Sequence, residues 1–118
     1  MPIYVLMTKL APATLKGRRS AGRDWIAKVE KLCPDLKWVS HYALLGPYDF
    51  MDIYEAPNDK TAFRVSLLSR ELGAVTAESW PAMPYDKFLK IADRVDESLG
   101  EVPRGGPGKK RNKKKKKG

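Results

Sequence analysis

Two periods of apolar residues divide this chain. Between Pro2 and Leu10, the run Ile3, Tyr4, Val5, Leu6 and Met7 is β-branched and aromatic and predicts a strand, whereas from Thr14 to Leu32 the pattern is mainly helical. In that helix Trp25, Ile26, Val29 and Leu32 mark an inner face, with Arg19, Arg23, Lys28 and Lys31 outside. Cys33-Pro34-Asp35 ends it, because a proline pushes the residue before it out of helical space. Two strand-like runs follow, Leu36 to Leu45 and Tyr48 to Glu55, and the Gly46-Pro47 between them predicts an antiparallel hairpin. Asn58-Asp59-Lys60 offers a helix N-cap ahead of Ala62, Val65, Leu67, Leu68 and Leu72, and Gly73 terminates that helix. Ala74 to Trp80 reads as a fourth strand. Pro84 to Leu99 reads as a last helix with Phe88, Leu89, Ile91 and Val95 as its apolar positions.

The order βαββαβ plus a C-terminal helix predicts an α+β, ferredoxin-like domain. Two βαβ-like halves are joined by a central hairpin, and helices cover one face of a four-stranded antiparallel sheet. Tyr4, Leu6, Phe50, Tyr54 and Trp80 are the expected contributors to the other face, and an open aromatic sheet on a small domain predicts a partner. Two such sheets facing one another bury that surface around a central cavity. The expected partner is therefore the chain itself, as a homodimer or higher oligomer.

Charge changes the picture at one end only. Lys109, Lys110, Arg111, Lys113, Lys114, Lys115, Lys116 and Lys117 put eight cations into nine consecutive positions. Residues 100 to 118 hold nine of the 23 Lys and Arg and one acid, Glu101, a net charge of +8. Residues 1 to 99 carry 14 basic and 13 acidic side chains, so the basic character belongs to the tail and not to the fold. Like charges repel and Pro103 to Gly108 reads as a linker, so the expected division is a domain over 1–99 and a disordered polybasic tail over 100–118. Lys16, Arg18, Arg19 and Arg23 form a second basic cluster, diluted by Asp24, Glu30 and Asp35, and read as a solvated helix face.

One cysteine, Cys33, excludes an intramolecular disulfide, and with a single histidine it leaves no ligand set for a structural zinc. No metal or cofactor is expected. The first apolar run stops at Lys9, too short for a signal peptide or a membrane span, and neither Gly at position 2 nor a C-terminal Cys offers a lipid anchor. A cytoplasmic location without stable membrane anchoring is the expectation.

The chain resembles a known family, and the motifs that carry the resemblance lie between Leu44 and Val75. Leu44-Leu45-Gly46-Pro47-Tyr48-Asp49-Phe50, then Tyr54-Glu55-Ala56-Pro57-Asn58-Asp59, and Leu72-Gly73-Ala74-Val75 are similar in order and spacing to the GYD domain proteins, whose Gly-Tyr-Asp signature reads Gly46-Pro47-Tyr48-Asp49. The resemblance covers roughly residues 2 to 92. It implies a ferredoxin-like fold of the dimeric α/β barrel type and brings no catalytic residue. The basic tail is no part of the family pattern. Local physics gives the signature a structural meaning: Gly46 supplies backbone freedom, Pro47 fixes φ and Asp49 caps turn amides. Tyr48 reads either as a packing lid over the hairpin or as a contact for a ligand or neighbouring subunit.

Candidate chemistry is sparse. A two-residue loop at Pro47-Tyr48 sets His41 opposite Tyr54 and Ala43 opposite Asp52, so that His41 and Asp52 become diagonal neighbours on the face shared with Phe50 and Tyr54. A histidine beside a carboxylate in an apolar cavity is a candidate general base with a raised pKa. A structural histidine is the simpler reading.

The first functional expectation is therefore a non-enzymatic oligomeric domain whose tail, Lys109 to Lys117, binds RNA, a ribosome or DNA without sequence preference by releasing counterions from phosphates. The alternative is a cavity around His41, Tyr48, Asp52 and Tyr54 that binds a metabolite or performs a simple oxygenase- or isomerase-like step. Membrane association through the tail is a third, weak and reversible.

Overall fold

The structure is a computed structural model and describes residues 1–13 and 18–101. The described residues fall into two compact units, one from Met1 to Ala82 and a second that begins at Met83.

The first unit runs β1 (Ile3–Leu10), α1 (Arg18–Leu32), β2 (Lys37–Ala43), β3 (Phe50–Glu55), α2 (Asp59–Glu71) and β4 (Ala74–Ala82). Its strands form one antiparallel sheet in the order β2-β3-β1-β4. Element order and strand order together give an α+β, ferredoxin-like fold, as the sequence pattern anticipates.

One face of the sheet and the two helices bury a core of Tyr4, Leu6, Val29, Cys33, Leu36, Tyr54, Ala56, Ala62 and Val65. Each large apolar side chain taken fully from water here contributes about 1.5–3 kcal/mol. Tyr4, Leu6 and Tyr54, expected on the open face, instead lie under the helices. Tyr4 and Tyr54 stack at 5.4 Å, with Tyr4 donating to Asp59 Oδ1 (2.6 Å) and Tyr54 exchanging a hydrogen bond with Ser79 Oγ (2.8 Å). Phe50 belongs to the same layer, facing a cleft that Trp25, Ile26 and Leu72 share. The reason is the period of two: β3 puts Phe50, Asp52 and Tyr54 together on one face, and β1 puts Tyr4, Leu6 and Thr8 there. Of the five, Trp80 alone projects from the other face, joined there by Val39 and Tyr42, all three half exposed.

In α1 the inner spacing is Trp25, Val29 and then Cys33 just beyond the helix, each one turn apart, so Leu32 falls on the rim and stays half exposed. Arg64 Nη2 donates to the Leu32 carbonyl at 2.8 Å, satisfying one of the acceptors left at a helix end. In α2, Asn58 caps the start by accepting from Thr61 N–H at 3.0 Å. Its buried residues are small, Thr61, Ala62, Val65 and Ser69, which lets it lie close to the sheet, and Leu67 points to solvent. Gly73 follows with φ 121°, a value that a side chain resists, and so turns the chain directly into β4.

The second unit contributes α3 (Tyr85–Glu101). It starts where the Pro84 carbonyl accepts from Lys87 and Phe88 N–H, at 3.0 and 3.1 Å. Phe88, Leu89, Ile91 and Val95, with Tyr85 and Leu99, are 44% to 72% exposed. Among the described residues no helix is long and apolar enough to cross a membrane. The cationic run Lys109 to Lys117, with Lys16 and the side chains of Arg18, Arg19 and Arg23, lies outside the described residues.

Candidate ligand-binding cleft

The hairpin sets the site. Pro47 cannot take the positive φ that the first residue of a two-residue hairpin loop requires, and the loop is correspondingly longer: Leu44 N–H donates to the Asp49 carbonyl at 2.8 Å, enclosing residues 45–48. The register therefore differs by two from the expected one. His41 lies directly opposite Asp52, and Ala43 opposite Phe50. A shift of two preserves the faces, so the expected pair forms, and more closely than a diagonal would allow.

A second feature aims it. The β2–β3 register shifts between Trp38 and Ser40, leaving Val39 as an extra residue. Without that bulge Trp38 and His41, three positions apart, would point to opposite faces; with it both reach the helix-covered side, their rings 4.9 Å apart. Trp38 also meets Trp25 of α1 at 5.5 Å and the edge of Tyr54 at 5.8 Å. His41 is thus braced by an aromatic cluster rather than left loose on an edge strand.

His41 Nδ1 and Asp52 Oδ1 are 2.7 Å apart, and the two side chains differ sharply in exposure, 36% for His41 and 3% for Asp52. Burial pushes the Asp52 carboxyl up from 3.8 to about 6, with the hydrogen bond and charge of His41 opposing. Its second oxygen, Oδ2, is enclosed with no partner among the described residues. Such a carboxylate is costly to keep charged, and when it is charged it can only accept, which places the shared proton on His41 Nδ1.

Both residues open onto a cleft of about 190 Å³ between the helices and the hairpin end of the sheet. Leu10, Trp25, Ile26, Phe50, Leu72 and Ala74 make its walls, with Thr8 and Ser69 as further polar neighbours. Ser69 is occupied: its hydroxyl accepts from Trp25 Nε1 (2.9 Å) and donates to the Val65 carbonyl (2.8 Å), tying α1 to α2. The cleft is an apolar recess with an oriented imidazole, a constellation suited to binding and to proton transfer.

Of the four residues expected around one cavity, the structure brings His41 and Asp52 together and places the other two elsewhere. Tyr54 lies beneath them in the core, its phenol pushed up to about 12 by burial. Tyr48 lies at the other face: its hydroxyl donates to the Glu78 carboxylate at 3.1 Å, its ring meets the edge of Trp80 at 6.1 Å, and Trp80 Nε1 donates to the same carboxylate at 2.9 Å. Glu78 accordingly raises the Tyr48 phenol. Thr8, Leu72 and Ala74 are cleft residues outside the expected set, whereas Phe50 was expected on the face of His41 and Asp52. Face parity was the available signal, since Thr8 sits opposite Phe50 two positions from the Leu6–Asp52 pair. Cys33 offers no nucleophile, because burial raises its thiol and keeps it protonated. Among the described residues no group of three or more His, Cys, Asp or Glu could hold a metal ion.

The signature residues serve the frame around the cleft. Asp49 N–H donates to the Thr8 carbonyl and its Oδ2 accepts from Leu10 N–H, both at 2.8 Å, bridging the register shift of β1 against β4 at Lys9/Leu10. Gly46 does not use the freedom expected of it: its φ is not positive, and a Cβ there would meet nothing within 4 Å.

Fold and site define a small ferredoxin-like α+β domain with a recess between its helix layer and its sheet. The family model for the GYD domain matches residues 4–92, and the chain belongs to that family. Searches of the curated proteins and of the solved structures return no match.

Proposed function

We propose that the chain is a small-molecule-binding domain whose site is the cleft between α1, α2 and the hairpin end of the sheet, with His41 as its polar contact. The observation that carries this reading is the pairing of a nearly fully buried carboxylate, Asp52, with a half-exposed imidazole at the wall of an apolar recess. A fold pays several kcal/mol to bury a one-sidedly paired carboxylate, and such arrangements concentrate where a neighbouring group must be oriented. Apolar walls supply affinity and the imidazole selects for a hydrogen-bonding group. Protein-observed NMR of the full chain against a library of one-ring fragments tests it. Binders are expected to move the amide resonances of Thr8, His41, Phe50, Asp52 and Leu72 together; binders that move only other residues, or a library with no binder, would contradict the reading.

The cationic run supports a second activity in the same chain. Eight cations in nine positions favour association with a phosphate polymer, RNA, a ribosome or DNA, and a self-associating domain would present several tails at once. For eight phosphate contacts the affinity should fall with salt at a log-log slope of about −6 to −7. Anisotropy at two salt concentrations, comparing the full chain with one ending at Gly108, reads this directly. Equal binding by the two forms would remove the tail from the account.

A further inference from the structure

Resting on the cleft reading, we infer that the ligand class of the site is a neutral one-ring aromatic alcohol or phenol, its hydroxyl donating to His41 Nε2. Three features of the cleft lead there. The first is the direction of the hydrogen bond. His41 Nδ1 and Asp52 Oδ1 lie 2.7 Å apart, and an ionised carboxylate can only accept, so with Asp52 ionised the proton sits on Nδ1 and Nε2 of a neutral ring is left as the acceptor. An acceptor selects a ligand that brings a donor, and a hydroxyl is the compact group that does so without charge. The second is sign. The cleft wall contains a carboxylate that burial already disfavours in its charged form, so a second carboxylate brought beside it would meet like charge in low dielectric. Anionic ligands are selected against. The third is shape and size. Trp25, Phe50, Ile26 and Leu72 offer flat and branched apolar surface around about 190 Å³, and a cavity of roughly 150 Å³ lined by such side chains holds a benzene ring. One ring with a small substituent fits; two fused rings would project into solvent.

Asp52 acts through His41 and is a positioning residue. Its carboxylate fixes which imidazole nitrogen carries the proton, so the acceptor at the cleft depends on it.

Isothermal titration of the full chain with p-cresol, toluene and 4-methylbenzoate, for wild type and His41→Phe, tests the assignment. Nitrogen-15 spectra of the wild-type His41 ring add a readout that needs no variant. On wild type p-cresol binds and the Nε2 resonance moves, while toluene binds without moving it and 4-methylbenzoate binds most weakly. His41→Phe weakens p-cresol about three- to tenfold, the worth of one neutral hydrogen bond, and does not weaken toluene. If p-cresol and toluene both bind but respond alike to His41→Phe and leave Nε2 unmoved, the cleft binds small molecules and the hydroxyl-to-imidazole assignment is wrong. If 4-methylbenzoate binds best, the sign argument is wrong. If none of the three binds at millimolar concentration, both the ligand class and the cleft reading fail.

Discussion

Replacing Asp52 by Asn should stabilise the chain, and only above a particular pH. Asp52 is 2% exposed, its carboxyl is raised from 3.8 to about 6, and Oδ2 has no partner. A carboxyl held above its unfolded value favours the folded state while protonated. That contribution is present in full below about pH 4 and is lost as pH rises through about 6. The gap between 3.8 and about 6, at about 1.4 kcal/mol per pH unit, makes the loss about 3 kcal/mol. Asparagine has nearly the same shape, can keep accepting from His41 Nδ1, and carries no charge to desolvate. The variant should therefore match wild type in acid and exceed it by up to about 3 kcal/mol near pH 8, with the difference developing between roughly pH 4 and 7. Urea unfolding followed by tryptophan fluorescence, at one protein concentration and at half-unit pH steps, measures it. A difference that does not change with pH, or wild type gaining on the variant as pH rises, would refute the reasoning. The gain in stability should come with a change at the site, because a destabilising group kept next to a cleft is what function trades against stability.

Four further substitutions probe the frame. Gly73→Ala should cost about 1 kcal/mol or more, since φ 121° is strained for any side chain, whereas Gly46→Ala should fall within about 0.5 kcal/mol of wild type; thermal melts of the two side by side check the contrast. Asn58→Ala should cost about 1 kcal/mol through loss of the α2 cap, seen as a lower urea midpoint with an unchanged slope. Asp49→Ala removes the acceptor for Leu10 N–H and should cost about 1–2 kcal/mol, with faster amide exchange at Leu10 as its local signature.

The order of elements was legible because each helix and strand carries its own period and its own stop signal: Pro34 after α1, Asn58 before α2, Gly73 before β4. Which face the helices would cover was not. Tyr4, Leu6 and Tyr54 are aromatic or aliphatic whichever way they point, and only the three-dimensional pairing with Val29 and Val65 decides. The His41–Asp52 pair was legible through face parity, which a wrong loop length preserved because the error was an even number of residues. The bulge at Val39 was not, since Trp38-Val39-Ser40 has no glycine or proline to mark it, and with it went the tilted contact of Trp38 with His41. Tyr48 was drawn toward the cavity by its place in the hairpin, but the four-residue loop carries it to the face where Glu78 and Trp80 wait.

The account rests on a buried Asp52 holding His41 beside a cleft that small apolar molecules can enter. Carbon-13 detected pH titration of the Asp52 carboxyl, in the free full chain and again with saturating toluene, tests that most directly. A midpoint near 6 that rises when toluene displaces water from the cleft is the predicted result, because losing water disfavours the carboxylate further. A midpoint near 3.8, or one that toluene leaves unmoved, would contradict it.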